Sequence, residues 1–246
     1  MFASLKNHPF AVEAFFEYSL VLTFAIPKQD IMPFIPKCLL PDTFNDKWAF
    51  IAVAMVQTKN LRPKGAPGFL GNNFFLIGNR VFVKYNSTNG KRLRGLYILK
   101  SQTNKRKMQF FGNIFTHYNY TTIDIEVIKK NNYLNIHSNK AGLSVTVELE
   151  NELPALPIGS PFADWKEARR FAGPLPFTFT YNDDSKKVLI IEGVRSSWEP
   201  RPVKVLNHHI DFIKTLGFKE YHLANAFIIE NVPYYWKKGK TEIWEP

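Results

Sequence analysis

A long internal stretch of this sequence has no acidic residue. From Lys47 to Ile123, 77 consecutive residues contain no Asp or Glu but 13 Lys or Arg, and all 13 lie within residues 47–107, the basic segment. The rest of the chain carries 19 basic and 21 acidic residues, so nearly all of the net charge of +11 belongs to this segment. The bias predicts either a localised positive field or a solvated basic face, and it leaves the segment without a carboxylate for catalysis.

Cysteine and long apolar runs are also scarce. Cys38 is the single cysteine, which excludes an internal disulfide and a multi-cysteine metal site and favours a buried structural thiol. The longest apolar runs, such as Phe50–Val56, are too short to span a bilayer, so we expect no membrane insertion. Glu13 and Glu17 interrupt the apolar N-terminal stretch. We therefore expect no signal peptide and a cytoplasmic protein.

Sequence motifs for metals, nucleotides and acyl transfer are missing as well. The six histidines have no ligand spacing, and the adjacent pair His208 and His209 cannot share one face of a helix because neighbours diverge by about 100°. A Gly-rich phosphate cradle and a serine nucleophile elbow are both absent from the sequence. We therefore predict no metal site and no cofactor.

The residues that are present indicate mostly strands. The run Trp48–Thr58 is apolar at both parities, which indicates a central strand covered on both faces. A Pro/Gly-rich loop is predicted over Asn60–Asn73 and a helix over Lys105–His117. Further strands are predicted over Tyr18–Ile26, Phe74–Tyr85, Leu93–Ser101, Thr121–Lys129, Tyr133–Asn139, Leu143–Glu150, Phe177–Tyr181, Lys187–Arg195, Pro202–Asn207 and Ala224–Val232, and further short helices over Lys28–Phe34, Ser160–Phe171 and His209–Leu216.

This order of elements predicts a mainly β (α+β) fold, either a closed antiparallel barrel or a sandwich, with a few short helices. The hydrophobic content of 45% and the 22 Phe residues are ample for a core, and no linker is visible. We expect one domain over residues 1–246, with residues 1–17 as an N-terminal arm or helix. The expected apolar interior includes Phe50, Ala52, Ala54, Ile98 and Ile190.

Several motifs carry a family resemblance. They are the run from Leu20 to Gly65, LVLTFAIPKQDIMPFIPKCLLPDTFNDKWAFIAVAMVQTKNLRPKG, the loop Leu61–Pro67, the aromatic strand Gly95–Gln102 and the segment Ser197–Pro202. In this order they resemble the acetoacetate decarboxylase-like superfamily, and within it the YqjF-like branch, from Tyr18 to Trp236. The resemblance implies a cone-shaped, mostly antiparallel barrel that encloses an apolar cavity.

The resemblance also implies candidate catalytic residues. The family enzyme uses a buried lysine as a Schiff-base nucleophile beside a second cation. The matching position here is Lys107, with Arg106 or Lys105 as the cationic neighbour. The family's pocket arginine falls near Ala25 and one of its glutamates near Ile51, while its other glutamate would lie in the acid-free stretch. A decarboxylase or lyase-like enzyme stays open, whereas acetoacetate decarboxylation itself is not expected.

Two functions from different classes follow. The first is a barrel that binds a small apolar or carbonyl-containing metabolite in an internal cavity, with Arg62, Lys64 and Lys100 as candidate substrate-binding residues. The alternative is a binding module for an anionic partner, nucleic acid or a membrane surface, that uses the basic segment and its interleaved aromatic residues. The resemblance favours the small-molecule ligand, so nucleic acid is the less expected partner.

Overall fold

The computed structural model describes residues 2–149, 152–171 and 175–245. Strands dominate this part of the chain, as predicted, and the helices are short. The strands are β1 Val12–Pro27, β2 Leu40–Pro41, β3 Trp48–Pro63, β4 Asn72–Asn86, β5 Arg92–Thr103, β6 Tyr120–Thr122, β7 Glu126–Lys130, β8 Tyr133–Ser138, β9 Leu143–Glu148, β10 Phe177–Asn182, β11 Lys187–Arg195, β12 Arg201–Pro202, β13 Lys204–Ile210, β14 His222–Trp236 and β15 Lys240–Ile243. The helices are α1 Lys28–Ile31, α2 Arg106–Phe115, α3 Trp165–Arg169 and α4 Asp211–Thr215, with 3₁₀ turns at Phe2–Asn7, Met32–Phe34 and Gly68–Leu70.

Seven strands form a closed ring of hydrogen-bonded neighbours. The order is β14-β1-β3-β4-β5-β10-β11, and β11 pairs back onto β14. All of these pairings are antiparallel except that of β5 with β10. A second sheet has the order β13-β9-β8-β7. The prediction of a mainly β fold with a few short helices is therefore confirmed.

The central strand β3 has apolar residues on both of its faces. Ile51, Val53 and Met55 belong to the core that includes the buried residues of the second sheet. Ala52 and Ala54 point to the other face, where they line a cavity. Because side chains of the two core clusters cover β3 on both faces, residues 49–56 are all buried and a polar residue would have no solvent to face at either parity. The prediction of a central strand covered on both faces is confirmed.

Several predicted boundaries need correction. The N-terminal arm or helix predicted over residues 1–17 ends earlier than predicted, because β1 begins at Val12 and pairs with β14 and β3. The predicted loop Asn60–Asn73 is shorter, since β3 runs to Pro63 and β4 starts at Asn72. A register shift near Asn60, whose φ is 57°, allows the pairing to continue past the polar residues.

The helix predicted to start at Ser160 begins later. Asp164 is its N-cap and accepts a hydrogen bond from the backbone N–H of Glu167, so α3 starts at Trp165. The Ser160 hydroxyl instead donates to the backbone oxygen of Ala224. Residues 172–174, where the helix was predicted to stop, lie outside the described residues. The predicted strand over residues 121–129 is split into β6 and β7, and β15 was not predicted.

Candidate functional site

A cavity of about 490 Å³ takes side chains from all seven strands of the ring. Most of its lining is apolar, and the small side chains of Ala52 and Ala54 on β3 leave room for it. Helix α2 covers one side, since Lys107, Phe111 and Phe115 are spaced four residues apart and line the same cavity. The arrangement is that of a small-molecule site, an apolar chamber with a few polar groups.

Arg80 is the central polar group of the cavity. It lies on β4, where the residues at its parity, such as Phe74, Leu76 and Phe82, are apolar. The side chain as a whole is half-buried because it faces the cavity, but its Nε is buried without a hydrogen-bond partner among the described residues. Burial lowers the pKa of Arg80, but an arginine side chain stays charged in proteins. The cavity wall therefore contains a partly buried cation.

This cation has no carboxylate counter-ion among the described residues of the cavity wall. Among the described residues that line the cavity, none is Asp or Glu. The titratable side chains around Arg80 are instead the phenols of Tyr118, Tyr120 and Tyr234. Burial raises the pKa of Tyr120 to about 12 and also raises the pKa of Tyr118 and Tyr234, so all three are neutral at physiological pH. Neutral phenols can donate hydrogen bonds to a bound anion.

Glycines provide the space for these polar groups. A Cβ atom on Gly78 would lie 2.8 Å from Nε of Arg80, which shows that the guanidinium packs against the backbone at this position. A Cβ on Gly112 of α2 would overlap the ring of Tyr120. Arg80 and Tyr120 therefore fit in their observed positions because residues 78 and 112 have no side chain.

A second arginine lies where the ring closes. Strands β11 and β14 pair Arg195 with Tyr234, and Nη1 of Arg195 donates a hydrogen bond of 3.2 Å to the Tyr234 hydroxyl. The Arg195 guanidinium also stacks 4.7 Å from the ring of Trp198. Burial lowers the pKa of Arg195, and the side chain lines both the main cavity and an adjoining one of about 440 Å³. Arg195 is thus a second guanidinium group of the site beside Arg80.

The structure separates the predicted catalytic residues. Lys107 lines the cavity at its rim and is exposed. Lys105 and Arg106 are exposed at the start of α2 and are not among the lining residues. Consecutive residues of one helical turn diverge by about 100°, so a single turn cannot direct all three into one cavity.

The predicted substrate-binding residues are also separated. Arg62 lines the cavity but forms a 2.6 Å ion pair with Glu13. The Lys64 ammonium lies 3.9 Å from the ring of Tyr235. Lys100 does not line the cavity, because a β-bulge between β4 and β5 leaves its ammonium 5.5 Å from the ring of Phe212 in α4.

The remaining charges of the basic segment are partly neutralised. Four of its cations pair with acidic residues that precede the segment: Lys59 with Glu17, Arg62 with Glu13, and Lys84 and Arg94 with the buried Asp42. These ion pairs reduce the positive charge available to a polymeric anion. In the described part of the chain, no group of three His, Cys, Asp or Glu side chains could hold a metal ion. The helices of that part are all too short or too polar to cross a membrane.

Arg80, Arg195 and the three tyrosines were not predicted from the sequence as residues of the site. Arg80 could have been predicted from one signal in the sequence, because it is a charged residue at positions of a strand face that are otherwise apolar. Arg195, Tyr118 and Tyr234 carry no comparable signal, since only the closure of the ring brings them together.

The ring, the cavity and the covering helix define an acetoacetate decarboxylase-like fold. Acetoacetate decarboxylase from Legionella pneumophila superposes with a TM-score of 0.59 at 10% identity, over 96% of this chain and 89% of that one. An acetoacetate decarboxylase-like enzyme from Sphingomonas wittichii gives 0.58 at 9% identity, over 98% and 94%. The enduracididine biosynthesis enzyme MppR gives 0.55 at 9% identity, over 95% and 88%. At these identities the likeness shows the fold alone.

The chain belongs to DUF2071, a family described as uncharacterized conserved proteins, whose model matches residues 15–235. A search of curated proteins found no match. The resemblance seen in the sequence motifs is therefore confirmed for both the superfamily and the YqjF-like branch.

Proposed function

We propose that this protein binds a small, largely apolar carboxylate in the cavity, with Arg80 as the partner of the carboxylate group. The observation that carries the proposal is a buried guanidinium that faces the cavity while no acidic residue is among the described lining residues. A buried charge costs several kcal/mol unless an opposite charge pairs with it. A bound carboxylate would supply that charge, and the apolar walls would hold the rest of the ligand.

The chemistry of the surrounding groups supports a carboxylate. The planar guanidinium fork matches the two oxygens of a carboxylate, and the neutral phenols of Tyr118, Tyr120 and Tyr234 can donate further hydrogen bonds. Among the structural neighbours, MppR has been crystallised with the condensation product of pyruvate and imidazole 4-carboxaldehyde. A small organic ligand in this fold is consistent with that complex.

The binding test uses octanoate and its neutral analogue octanamide, because both fit an apolar chamber and differ in charge. We expect Arg80→Met to weaken octanoate binding by at least about tenfold, the loss of a hydrogen-bonded ion pair worth about 1.5–3 kcal/mol, and to leave octanamide binding nearly unchanged. Calorimetric titration gives both affinities. Trp198 and Trp236 line the cavity, so their fluorescence is a second measurement.

Arg92→Met is the matched control, because Arg92 is exposed on β5 and is not a lining residue. Arg80→Met should also leave thermal stability unchanged or raise it, since it replaces an unpaired buried cation by an apolar side chain. Equal octanoate affinity in the wild type and in Arg80→Met would refute the proposal, as would equal binding of octanamide and octanoate to the wild type.

We further propose that binding occurs without Schiff-base chemistry. Lys107 is the one candidate nucleophile among the described lining residues, but it is exposed at the rim. A lysine that attacks a carbonyl group needs a site from which water is excluded. We expect no adduct on Lys107 after incubation with a β-keto acid or a β-diketone and reduction with borohydride, measured by peptide mass spectrometry. A mass increase that maps to Lys107, disappears in Lys107→Ala and persists in Lys91→Ala would prove this expectation wrong.

A further inference from the structure

The mouth of the cavity can be defined by the residues that line it and are also exposed. They are Phe10, Pro63, Leu70, Lys107 and Phe111. Four of the five are apolar. They come from three segments, residues 5–10, residues 61–72 and residues 105–116, which we call the mouth segments.

The apolar character continues outward from the mouth. Phe69 is 85% exposed and Phe110 is 63% exposed, and neither lines the cavity, so both rings face solvent. Each is next in sequence to a mouth residue, Leu70 and Phe111 respectively. The aromatic side chains of α2 pack on one another and on the N-terminal segment, with ring centroids 5.1 Å apart for Phe10 and Phe115. Exposed apolar patches of this kind mark surfaces of interaction.

The charged residues of the mouth segments themselves are all of one sign. The mouth segments contain no Asp or Glu, and they carry Lys6, Arg62, Lys64, Lys105, Arg106 and Lys107. Three of these cations stand at the start of α2, where the helix dipole disfavours positive charge. The four cations Lys6, Lys64, Lys105 and Arg106 are exposed around the apolar mouth.

We propose that the mouth docks on an anionic lipid surface, with Phe69 and Phe110 entering the headgroup region and the surrounding cations contacting the lipid phosphates. Exposed aromatic side chains ringed by Lys and Arg are the combination by which peripheral proteins bind such surfaces. An apolar cavity that opens at the docked face would receive an amphipathic ligand directly from the lipid, without passage through water. Shallow docking of this kind requires no membrane-spanning helix, and it does not depend on the identity of the ligand.

The experiment is flotation of the full chain with vesicles of phosphatidylcholine alone or with about 30% phosphatidylglycerol, at about 0.15 M salt. We expect binding to the anionic vesicles only. The double variant Phe69→Ser/Phe110→Ser should reduce partitioning by at least about tenfold, and so should Lys105→Glu/Arg106→Glu, because each basic residue near the surface contributes a several-fold increase in binding.

Matched controls lie on the second sheet. Ile128 is 49% exposed on β7 and Lys130 and Lys140 are exposed, so Ile128→Ser and Lys130→Glu/Lys140→Glu should bind anionic vesicles like the wild type. Arg80→Met should also bind vesicles normally, which separates docking from ligand binding. Equal loss of binding in the mouth and control variants would overturn the proposal. So would binding of single-stranded RNA, but not of vesicles, that the mouth variants abolish.

Discussion

At the residue scale, the position of the Arg80 guanidinium depends on Gly78. The two residues share one parity of β4, and the guanidinium lies where a Cβ on residue 78 would be. Arg80 is therefore held close to its own strand, with its charge directed into the cavity.

We predict that Gly78→Ala weakens carboxylate binding several-fold. The added Cβ would meet Nε at 2.8 Å, a distance that forces the guanidinium to shift. A misplaced bidentate partner loses most of the energy of its hydrogen bonds. The measurement is octanoate titration of Gly78→Ala, with Gly68→Ala as the control, because a Cβ on Gly68 meets nothing within 4 Å. Unchanged affinity in Gly78→Ala would show that this packing does not position Arg80.

The candidate site could be predicted from the sequence only in part. The family resemblance pointed to Lys107 as a candidate site residue, and this residue does line the cavity. The charge bias of the basic segment did not single out Arg80, because it treats all 13 basic residues alike. The informative property of Arg80 is its position among apolar residues of one strand face. Arg195 and Tyr234 are 39 residues apart and meet only through the β11–β14 pairing, which no local pattern specifies.

At the element scale, β15 is joined to the hairpin of β4 and β5 by a buried carboxylate. Glu242 accepts hydrogen bonds from the hydroxyls of Ser87 and Tyr85 and from the backbone N–H of Thr88, and it pairs with Lys240. Burial would by itself raise the pKa of Glu242, but these bonds together hold it at about 2. This network thus ties β15, which was not predicted from the sequence, to the β4–β5 hairpin, in addition to the pairing of β15 with β11.

This network predicts a stability that depends on pH. The folded-state pKa of Glu242 lies below its ordinary value of 4.5, so the stabilisation is complete above that value and is lost as the pH falls toward about 2. We expect Glu242→Gln to lower the free energy of unfolding by about 1–3 kcal/mol near neutral pH. The difference from the wild type should shrink in acid. Urea denaturation at neutral and acid pH measures both effects.

Glu245→Gln is the control for this prediction, because Glu245 is exposed three residues further on. It should change stability little at either pH. A Glu242→Gln variant as stable as the wild type at neutral pH would contradict the assigned role of the carboxylate.

Other elements were predicted well wherever an apolar run or a periodic pattern of apolar residues was long and uninterrupted. The strands β3, β4 and β5 and the helix α2 belong to this class. Short elements were predicted poorly, because their limits depend on tertiary contacts. Ser160 had the local chemistry of an N-cap, yet its hydroxyl bonds to Ala224 on β14 and Asp164 caps the helix instead.

At the scale of the whole molecule, the cavity exists only when the ring is complete. Every strand of the ring contributes to the lining, and the closing pair β11–β14 carries Arg195 and Tyr234. The fold is shared with acetoacetate decarboxylase at about one identical residue in ten. The order of motifs was sufficient to predict this architecture, whereas the polar groups inside it had to be read from the structure.

The chamber is lined by three arginines, of which Arg62 is ion-paired with Glu13, and by no carboxylate among its described lining residues, so it discriminates by the sign of charge. An amino acid would bring an ammonium group together with its carboxylate, and that ammonium would lie against apolar walls with no anion to pair it. One charge left buried and unpaired costs about 3–5 kcal/mol, which is a factor of roughly 150 to 4,000 in affinity. The cavity should therefore accept oxo, hydroxy and simple carboxylic acids and reject the corresponding zwitterions.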